Sequence, residues 1–314
     1  MTRILVTGAD GFVGRSLVAR LARDGHDLVR AVRAKRDPDA VSVGDIADDR
    51  DWPSILGDVG IIVHLAARAH ILRETSNDPL REFRRINVAA TARLARSAAA
   101  AGVRRFVFLS SIGVNGSCSG DHAFTESDLP EPSEPYAVSK WEAEQALLEI
   151  GHRTGMQITR VRPPLIIGSG AKGNLHRLMR LVELGFPLPL GAIRNARSFV
   201  ALEDLCDLLA ACVAHSGGGD DLFLAADSEE LSTPDLLRAI GAGLGRKVHL
   251  IPVPPAPLRL AARVCGLHSQ FARLTSSLRV NAGKAREKLG WNPRVGLREA
   301  IRSMTQAYRR EMSG

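Results

Sequence analysis

Three glycines at three-residue spacing, where the first apolar run meets the first amphipathic segment, constrain the fold more than any other feature. The run 4–7 predicts a strand and 11–24 predicts a helix. Gly8 permits a tight turn, Gly11 lets the backbone approach a pyrophosphate, and Gly14 lets the helix pack near the strand. The helix N-terminus then presents N–H groups and a positive dipole end to phosphates. The predicted dinucleotide-binding turn comprises Gly8, Gly11, Phe12, Val13 and Gly14.

The rest of the first half continues to alternate between strands and helices. Helix-length segments span 79–101 and 136–151, and the links between elements are short. Such alternation predicts an α/β fold with a doubly wound parallel sheet and a smaller C-terminal lobe. Apolar runs predict the further strands 27–32, 41–43, 61–66, 105–109 and 157–162.

The pattern loosens after the sixth strand, where glycine and proline become frequent. We therefore expect residues 1–163 to form a dinucleotide-binding domain, to which a later segment, about 193–226, returns. Residues 164–314 are expected to form mainly a substrate-binding lobe. The amphipathic segment 258–267 follows a proline-rich stretch and is expected to pack on its own domain, with a membrane or partner contact as the alternative.

The end of the second strand indicates which dinucleotide binds. An acidic residue about 20 residues beyond the glycines would bind a ribose 2′-hydroxyl and specify NAD. Here the strand is followed by Arg33, and then by Lys35 and Arg36. Because an arginine fork matches a 2′-phosphate, the sequence predicts NADP. The alternatives are that these side chains are solvated and that the cofactor is NAD.

Two further strand ends are candidates for the same cofactor site. Asp45 and Ile46 follow the third strand, where a carboxylate can accept a hydrogen bond from an adenine amino group. Leu65, Ala66 and Ala67 end the fourth strand, and their small side chains allow close backbone approach. Both segments are equally compatible with ordinary loops.

Tyr136 and Lys140 form a YxxxK pattern at the start of a predicted helix. Residues four apart lie on one helix face. A nearby ammonium is expected to lower the tyrosine pKa, so that the phenol can act as a general acid or base. Ser110 and Ser111 end the fifth strand, at the edge of a parallel sheet where ligands gather. A hydroxyl there can hold a reacting oxygen beside Tyr136.

Taken in this order, the motifs resemble the extended short-chain dehydrogenase/reductases, in particular the sugar-nucleotide epimerase/dehydratase branch. Asn87, Arg162–Pro163 and the closing LGWNP motif at 289–293 also match. The resemblance implies a catalytic set of Ser111, Tyr136 and Lys140, the last two also contacting the cofactor. It further implies that Pro163 lines the cofactor site, and that Asn174 and Arg197 hold the nucleotide diphosphate of a nucleotide-sugar substrate.

Departures from the family pattern reduce the number of reactions that the resemblance implies. Dehydratases typically carry an acidic pair, and decarboxylases a glutamate, just after the strand-end serines, where this chain has Ile112 and Gly113. Epimerases usually keep a second hydroxyl at Gly113 and an acid at Arg33. The resemblance therefore favours NADPH-dependent reduction of a 4-keto sugar nucleotide in surface-polysaccharide synthesis. A UDP-sugar 4-epimerase with bound NAD is the alternative, and a cofactor-binding regulator without activity is the third hypothesis.

Composition and charge set the remaining expectations. The net charge of +8 fits a basic face for anionic ligands better than a nucleic-acid site, since no nucleic-acid motif is present. No apolar run reaches membrane-spanning length, and the four cysteines lack metal-ligand spacing. We expect a cytoplasmic enzyme without a metal. By analogy with relatives, the helices 79–101 and 136–151 are expected to form a homodimer interface.

Overall fold

A computed structural model describes residues 2–34, 37–48, 52–69, 78–217 and 219–313. Its strands are β1 (Arg3–Thr7), β2 (Asp27–Val32), β3 (Ala40–Ser42), β4 (Ile61–His64), β5 (Arg105–Leu109), β6 (Gln157–Arg162), β7 (Leu165–Ile167), β8 (Arg197–Ala201), β9 (Asp221–Leu224) and β10 (Glu230–Leu231). A seven-stranded sheet has the order β3-β2-β1-β4-β5-β6-β9, and every pairing in it is parallel. The predicted doubly wound sheet is thereby confirmed.

Helices cover both faces of this sheet, and further helices lie in the C-terminal half of the chain. They are α1 (Phe12–Arg23), α2 (Trp52–Leu56), α3 (Pro79–Phe83), α4 (Ala90–Ala100), α5 (Pro135–Thr154), α6 (Asn174–Glu183), α7 (Leu202–Ala214), α8 (Thr233–Leu244), α9 (Pro255–Val264), α10 (His268–Thr275), α11 (Gly283–Leu289) and α12 (Leu297–Ser313). One core joins α1 and α7 to one face of the sheet, and a second joins α2, α4 and α5 to the other. The strands are buried on both sides, which explains their continuous apolar runs.

A smaller sheet of β10, β8 and β7 lies in the C-terminal half, with a third core between α6, α8 and α12. From the later segment predicted to return to the first domain, β9 pairs with β6 and α7 packs on α1, whereas β8 belongs to the smaller sheet. The division into domains at residue 163 stays a prediction. Lys35 and Arg36 lie outside the described residues.

The helix predicted at 79–101 is not continuous. A π-helical turn, Arg84–Ala89, separates α3 from α4, and a π turn holds more residues per turn than an α-helix. Periodicity alone does not reveal this change because apolar spacing remains close to helical. The turn directs Asn87 into the protein, where only 1% of it is exposed. The predicted homodimer through α4 and α5 stays a prediction.

The segment 258–267 packs on its own domain only in part, through contacts with α10. It forms most of α9, and no residue of that helix is buried. Its apolar positions are too few on the inner side to reach a core, since only Leu258 and Ala262 are half-buried there. None of the helices in the described ranges combines the length and apolar character that crossing a bilayer requires.

Candidate active site

The glycine turn between β1 and α1 is shaped to receive a ligand. Gly8 has a left-handed φ of 66°, and a side chain there would lie 2.9 Å from the Ala66 nitrogen. A side chain at Gly14 would collide with the Gly8 carbonyl oxygen. Gly11 is exposed at the start of α1, whose first turn carries no acidic residue. A phosphate group can thus approach the helix N-terminus closely, so these residues fit a dinucleotide.

Leu65 and Ala66 meet the same turn, as the sequence predicts for residues beside the cofactor. Their N–H groups donate to Thr7 Oγ1 at 3.2 Å and 3.3 Å, and the Leu65 N–H also donates to the Thr7 carbonyl at 3.3 Å. Strand β4 ends just before them, at His64. The predicted strand 61–66 is therefore two residues too long. Ala67 follows in the same loop. Phe12 is half-buried beneath the loop that contains Gly170, and Val13 is buried in the core.

His64 was missed by sequence reasoning, yet it fixes this strand end. Thr7 Oγ1 lies 2.7 Å from His64 Nδ1, and Thr91 Oγ1 lies 2.9 Å from His64 Nε2. Because Thr7 Oγ1 already accepts two backbone N–H groups, its own proton goes to Nδ1, and Nε2–H donates to Thr91. Burial, with a smaller effect of Lys140, lowers the pKa of His64 to about 3. The imidazole is therefore neutral and acts as a fixed link between β1, β4 and α4.

This link leads to our first prediction. Replacing Thr7 with valine keeps the shape but leaves the Ala66 N–H and His64 Nδ1 without their partner, while the Leu65 N–H keeps the Thr7 carbonyl at 3.3 Å. We expect the free energy of unfolding to fall by about 2–4 kcal/mol, measured by urea denaturation, because each such group costs about 1–3 kcal/mol. Thr7→Ser retains the hydroxyl and is the matched control. Equal losses in both variants would contradict the hydrogen-bond account.

Ser111 begins a short 3-10 turn, Ile112–Val114, directly after β5. Its Oγ accepts the Gly113 N–H at 3.2 Å, so the hydroxyl proton remains free to donate to a ligand. A methyl group added at Gly113 would lie 3.4 Å from Ser111 Oγ and 3.2 Å from Ala137 Cβ. The turn is also fixed from β6, since Ile112 N donates to the Pro163 carbonyl at 2.9 Å. Ser111 and Pro163 therefore lie together at the first turn of α5.

Tyr136 and Lys140 lie on α5, Tyr136 half-buried and Lys140 fully buried. The Tyr136 ring contacts Phe83 edge-on at 5.9 Å, and Lys140 Nζ lies 4.1 Å from the centre of the Phe108 ring. Burial raises the pKa of Tyr136 to about 12, so the lowering predicted from YxxxK is wrong for this structure. Burial also lowers the pKa of Lys140 to about 7, against an opposing effect of Glu144. The phenol is consequently protonated at neutral pH.

A buried ion pair joins α5 to β6, and it was not predicted from the sequence. Glu144, four residues after Lys140, accepts hydrogen bonds from Arg162 Nε at 2.9 Å and Nη2 at 2.5 Å. Ser110 Oγ donates to the same carboxylate at 2.5 Å, and Arg162 Nη1 donates to Asn115 Oδ1 at 2.9 Å. Ser110 is thus committed to structure, which leaves Ser111 as the serine available to a ligand.

Asn87 joins the strand-end loop to α5. Its Nδ2 donates to Ser139 Oγ at 3.0 Å and to the Arg68 carbonyl at 3.2 Å, and its Oδ1 accepts the Arg68 N–H at 2.8 Å. Ser139 Oγ donates in turn to the Tyr136 carbonyl at 2.7 Å. The π turn therefore sets the position of the helix that carries Tyr136.

Arg33 and Asp45 lie near one another beyond β2 and β3. The Arg33 side chain is exposed, and its carbonyl accepts the Gly44 N–H at 3.1 Å. A hydrogen bond from the Ala47 N–H, aided by Arg85 and Arg33, lowers the pKa of Asp45. Ile46, the next residue, is buried, with 8% exposure. The predicted roles of these residues toward a cofactor stay predictions.

The two predicted substrate residues lie in the C-terminal half. Asn174 is exposed and begins α6 directly after Gly173. Arg197 Nη1 donates to the Arg273 carbonyl at 2.8 Å and to the Ser276 carbonyl at 2.9 Å, at the end of α10. These bonds fix the guanidinium. In the described part of the chain its Nε and Nη2 make no hydrogen bond.

The fold and its glycine turn define a dinucleotide-binding α/β protein. A model of the NAD dependent epimerase/dehydratase family matches residues 4–225. The chain is 36% identical to the UDP-glucose 4-epimerase of Vibrio cholerae over 311 residues, covering 97% of this chain and 95% of the relative. It therefore belongs to the NAD dependent epimerase/dehydratase family, and it is an enzyme whose family binds NAD or NADP.

Other similar proteins differ in activity. The chain is 27% identical to the GDP-6-deoxy-D-mannose reductase of Pseudomonas aeruginosa, over 96% of this chain and 95% of the relative. The structure of MoeE5 in complex with UDP-glucuronic acid and NAD superposes with a TM-score of 0.79 at 25% identity, covering 98% of this chain and 99% of the other. Epimerases and reductases thus both occur among the relatives.

Proposed function

We propose that this enzyme reduces the 4-keto group of a UDP-linked deoxysugar with NADPH. The observation that carries the proposal is Arg33 at the end of β2, where an enzyme that retains NAD requires an acid. An exposed arginine there can pair with the 2′-phosphate of NADP. The residues that would hold the dinucleotide are Gly8, Gly11, Phe12, Val13, Gly14, Arg33, Asp45, Ile46, Leu65, Ala66, Ala67, Tyr136, Lys140 and Pro163.

Tyr136 is proposed as the proton donor of this reduction. Reduction of a ketone requires a proton donor, whereas oxidation of the alcohol requires a base. A phenol whose pKa is about 12 is protonated at neutral pH, so Tyr136 carries the proton that this role requires. When bound, NADPH would supply the hydride for the new C–H bond at the carbonyl carbon. Tyr136 Oη then gives its proton to the former carbonyl oxygen, which becomes the 4-hydroxyl.

Ser111 and Lys140 complete the proposed catalytic set. The free Ser111 hydroxyl proton donates to the substrate oxygen and holds it beside Tyr136. The Lys140 ammonium stabilises the phenolate that remains after proton transfer, because opposite charges favour the ionised form. Asn174 and Arg197 are proposed to hold the nucleotide diphosphate, with the free Nε and Nη2 of Arg197 directed to phosphate oxygens. The reaction needs no metal.

A direct assay tests the proposed function. We expect NADPH consumption, followed by its absorbance, when the enzyme is given UDP-4-keto-6-deoxy-N-acetylglucosamine. No consumption, together with interconversion of UDP-N-acetylglucosamine and UDP-N-acetylgalactosamine, would establish the second candidate, a UDP-sugar 4-epimerase. The similarity to the Vibrio cholerae epimerase favours that candidate. An epimerase is expected to purify with tightly held NAD, whereas a reductase exchanges NADP.

Gly113 offers a further argument for the reductase. Epimerases of this family usually carry a hydroxyl side chain at this position, and a methyl group here would already press on Ala137 at 3.2 Å. Ser111 is thus the hydroxyl that this turn offers to a substrate oxygen. In a reductase this hydroxyl would orient the carbonyl oxygen, and Tyr136 would deliver the proton to that oxygen.

The second prediction concerns Arg33. Removing the guanidinium in Arg33→Ala is expected to weaken NADPH binding by about 10- to 100-fold, because hydrogen bonds to charged groups contribute about 1.5–3 kcal/mol. NADH, which lacks the 2′-phosphate, is expected to bind the variant and the native enzyme equally. Fluorescence titration with both nucleotides measures the change. Arg23→Ala, at the end of α1, is the control, and equal losses for NADPH and NADH would contradict the assignment.

A further inference from the structure

The chain carries its excess positive charge in one continuous segment. Residues 236–286 contain nine of the 42 lysines and arginines and none of the 34 acidic residues. The rest of the chain has 33 basic and 34 acidic residues, a net charge of −1. The net charge of +8 therefore arises from this segment, which includes α9 and α10.

Exposed apolar side chains concentrate in the same segment. The described residues include eight large hydrophobic side chains that are exposed, and four of them lie between residues 251 and 267. Leu260 is 65% exposed, Val264 is 81% exposed and Leu267 is 51% exposed. A cluster of this kind on a soluble surface marks an interaction site more often than isolated residues do.

On α9, the charge and the apolar side chains form two adjacent rows. Ala256, Leu260 and Val264 follow each other at four-residue spacing, which places them along one face of the helix. Arg259 and Arg263 form the neighbouring row and make no ion pair among the described residues. We call these five residues the α9 surface. Its opposite side, with Leu258 and Ala262, is half-buried beside α10.

The hairpin of α9 and α10 is firmly attached to the enzyme. The Leu274 carbonyl accepts Thr233 Oγ1 at 2.5 Å and Asn195 Nδ2 at 3.2 Å. Arg273 Nη2 pairs with Glu134 at 3.1 Å, just before α5. The α9 surface is thus the outward side of an anchored element rather than a loose end of the chain.

We propose that the α9 surface binds an anionic phospholipid bilayer, with α9 lying in the plane of the interface. A bilayer offers acyl chains for Leu260 and Val264 and phosphates for Arg259 and Arg263 at the depths that an amphipathic helix requires. A second copy of the chain would oppose the same arginines across a symmetric contact, where like charges repel. The ten residues of α9, about 15 Å long, suit surface binding and are too short to span a membrane.

Vesicle co-sedimentation of the full chain tests this proposal. We expect binding to mixed phosphatidylcholine–phosphatidylglycerol vesicles that weakens with added salt, and little binding to phosphatidylcholine alone. Arg259→Gln/Arg263→Gln is expected to lower the partition coefficient by about 30-fold, since each arginine near an anionic surface contributes about fivefold. Leu260→Gln/Val264→Gln is expected to lower it by at least about tenfold.

Matched variants distinguish binding through the α9 surface from a general effect of exposed charge or exposed apolar side chains. Arg302→Gln/Arg310→Gln on α12 and Leu184→Gln/Phe186→Gln after α6 change equally exposed side chains elsewhere and are expected to bind like the native chain. Circular dichroism melting confirms folding of each variant. Absence of vesicle binding at low salt, or equal losses in all four variants, would overturn the proposal. A monomer–dimer shift caused only by the α9 variants, without vesicle binding, would also overturn it.

Discussion

Tyr136→Phe is expected to lower turnover by about 10²- to 10⁴-fold, the usual contribution of a general acid. The variant keeps the ring that packs edge-on against Phe83 and loses only the hydroxyl that donates the proton. NADPH binding is expected to weaken far less than turnover falls, because the glycine turn and Arg33 are untouched and Tyr136 is one of many residues proposed to hold the cofactor. Steady-state turnover and fluorescence titration measure the two quantities separately.

The other tyrosine of the chain provides the control. Tyr308 donates its hydroxyl to Glu183 Oε2 at 2.8 Å on the C-terminal helix α12. Tyr308→Phe is expected to leave turnover unchanged. If Tyr136→Phe and Tyr308→Phe turn over alike, Tyr136 is not the proton donor and the proposed mechanism is wrong.

The ionisation of Lys140 predicts a pH dependence of kcat/KM. In the free enzyme burial holds the pKa of Lys140 at about 7, so its ammonium is present below that pH and lost above it. Because the ammonium stabilises the developing Tyr136 phenolate, kcat/KM for reduction is expected to fall as pH rises through this range. The Lys140→Met variant is expected to turn over slowly, and its kcat/KM is expected not to show this fall with rising pH.

Glu144→Gln is expected to lower the free energy of unfolding by about 3–5 kcal/mol, the cost of breaking a buried ion pair. Glu144 is completely buried, and its loss of charge leaves the guanidinium of Arg162 without a counterion. Arg160, whose Nη1 lies 3.6 Å from the same carboxylate, also loses an opposite charge. Urea denaturation measures the change.

Glu142 on the same helix is the matched control. It pairs with Arg84 at the surface, and such exposed pairs contribute about 0–1 kcal/mol. The double variant Glu144→Leu/Arg162→Met removes both charges and is expected to be more stable than Glu144→Gln. A Glu144→Gln variant that is no less stable than Glu142→Gln would show that the buried pair is not essential to this fold.

Sequence reasoning located the elements better than the contacts between them. The strands 27–32, 105–109 and 157–162 agree with β2, β5 and β6 because buried parallel strands leave uninterrupted apolar runs. The Gly8 turn was predictable because the requirement for glycine is local. The cofactor preference and the catalytic set remain proposals.

The missed features depend on residues that are distant in sequence. His64 was interpreted only as part of a strand, since its partners Thr7 and Thr91 lie 57 and 27 residues away. Glu144 was not singled out, since its partner Arg162 lies 18 residues away on β6. Similarly, hydrophobic periodicity identified α9 as amphipathic but does not state whether its apolar side meets the protein or the solvent.

The π turn of Arg84–Ala89 ties the site to the exact length of one helix. Deleting one residue between Phe83 and Ala90 would restore an ordinary helical register and rotate the two ends by about 100° relative to each other. Phe83 and Asn87 could then no longer face Tyr136 and Ser139 together. Homologues that share this arrangement are therefore expected to keep the length of this turn unchanged.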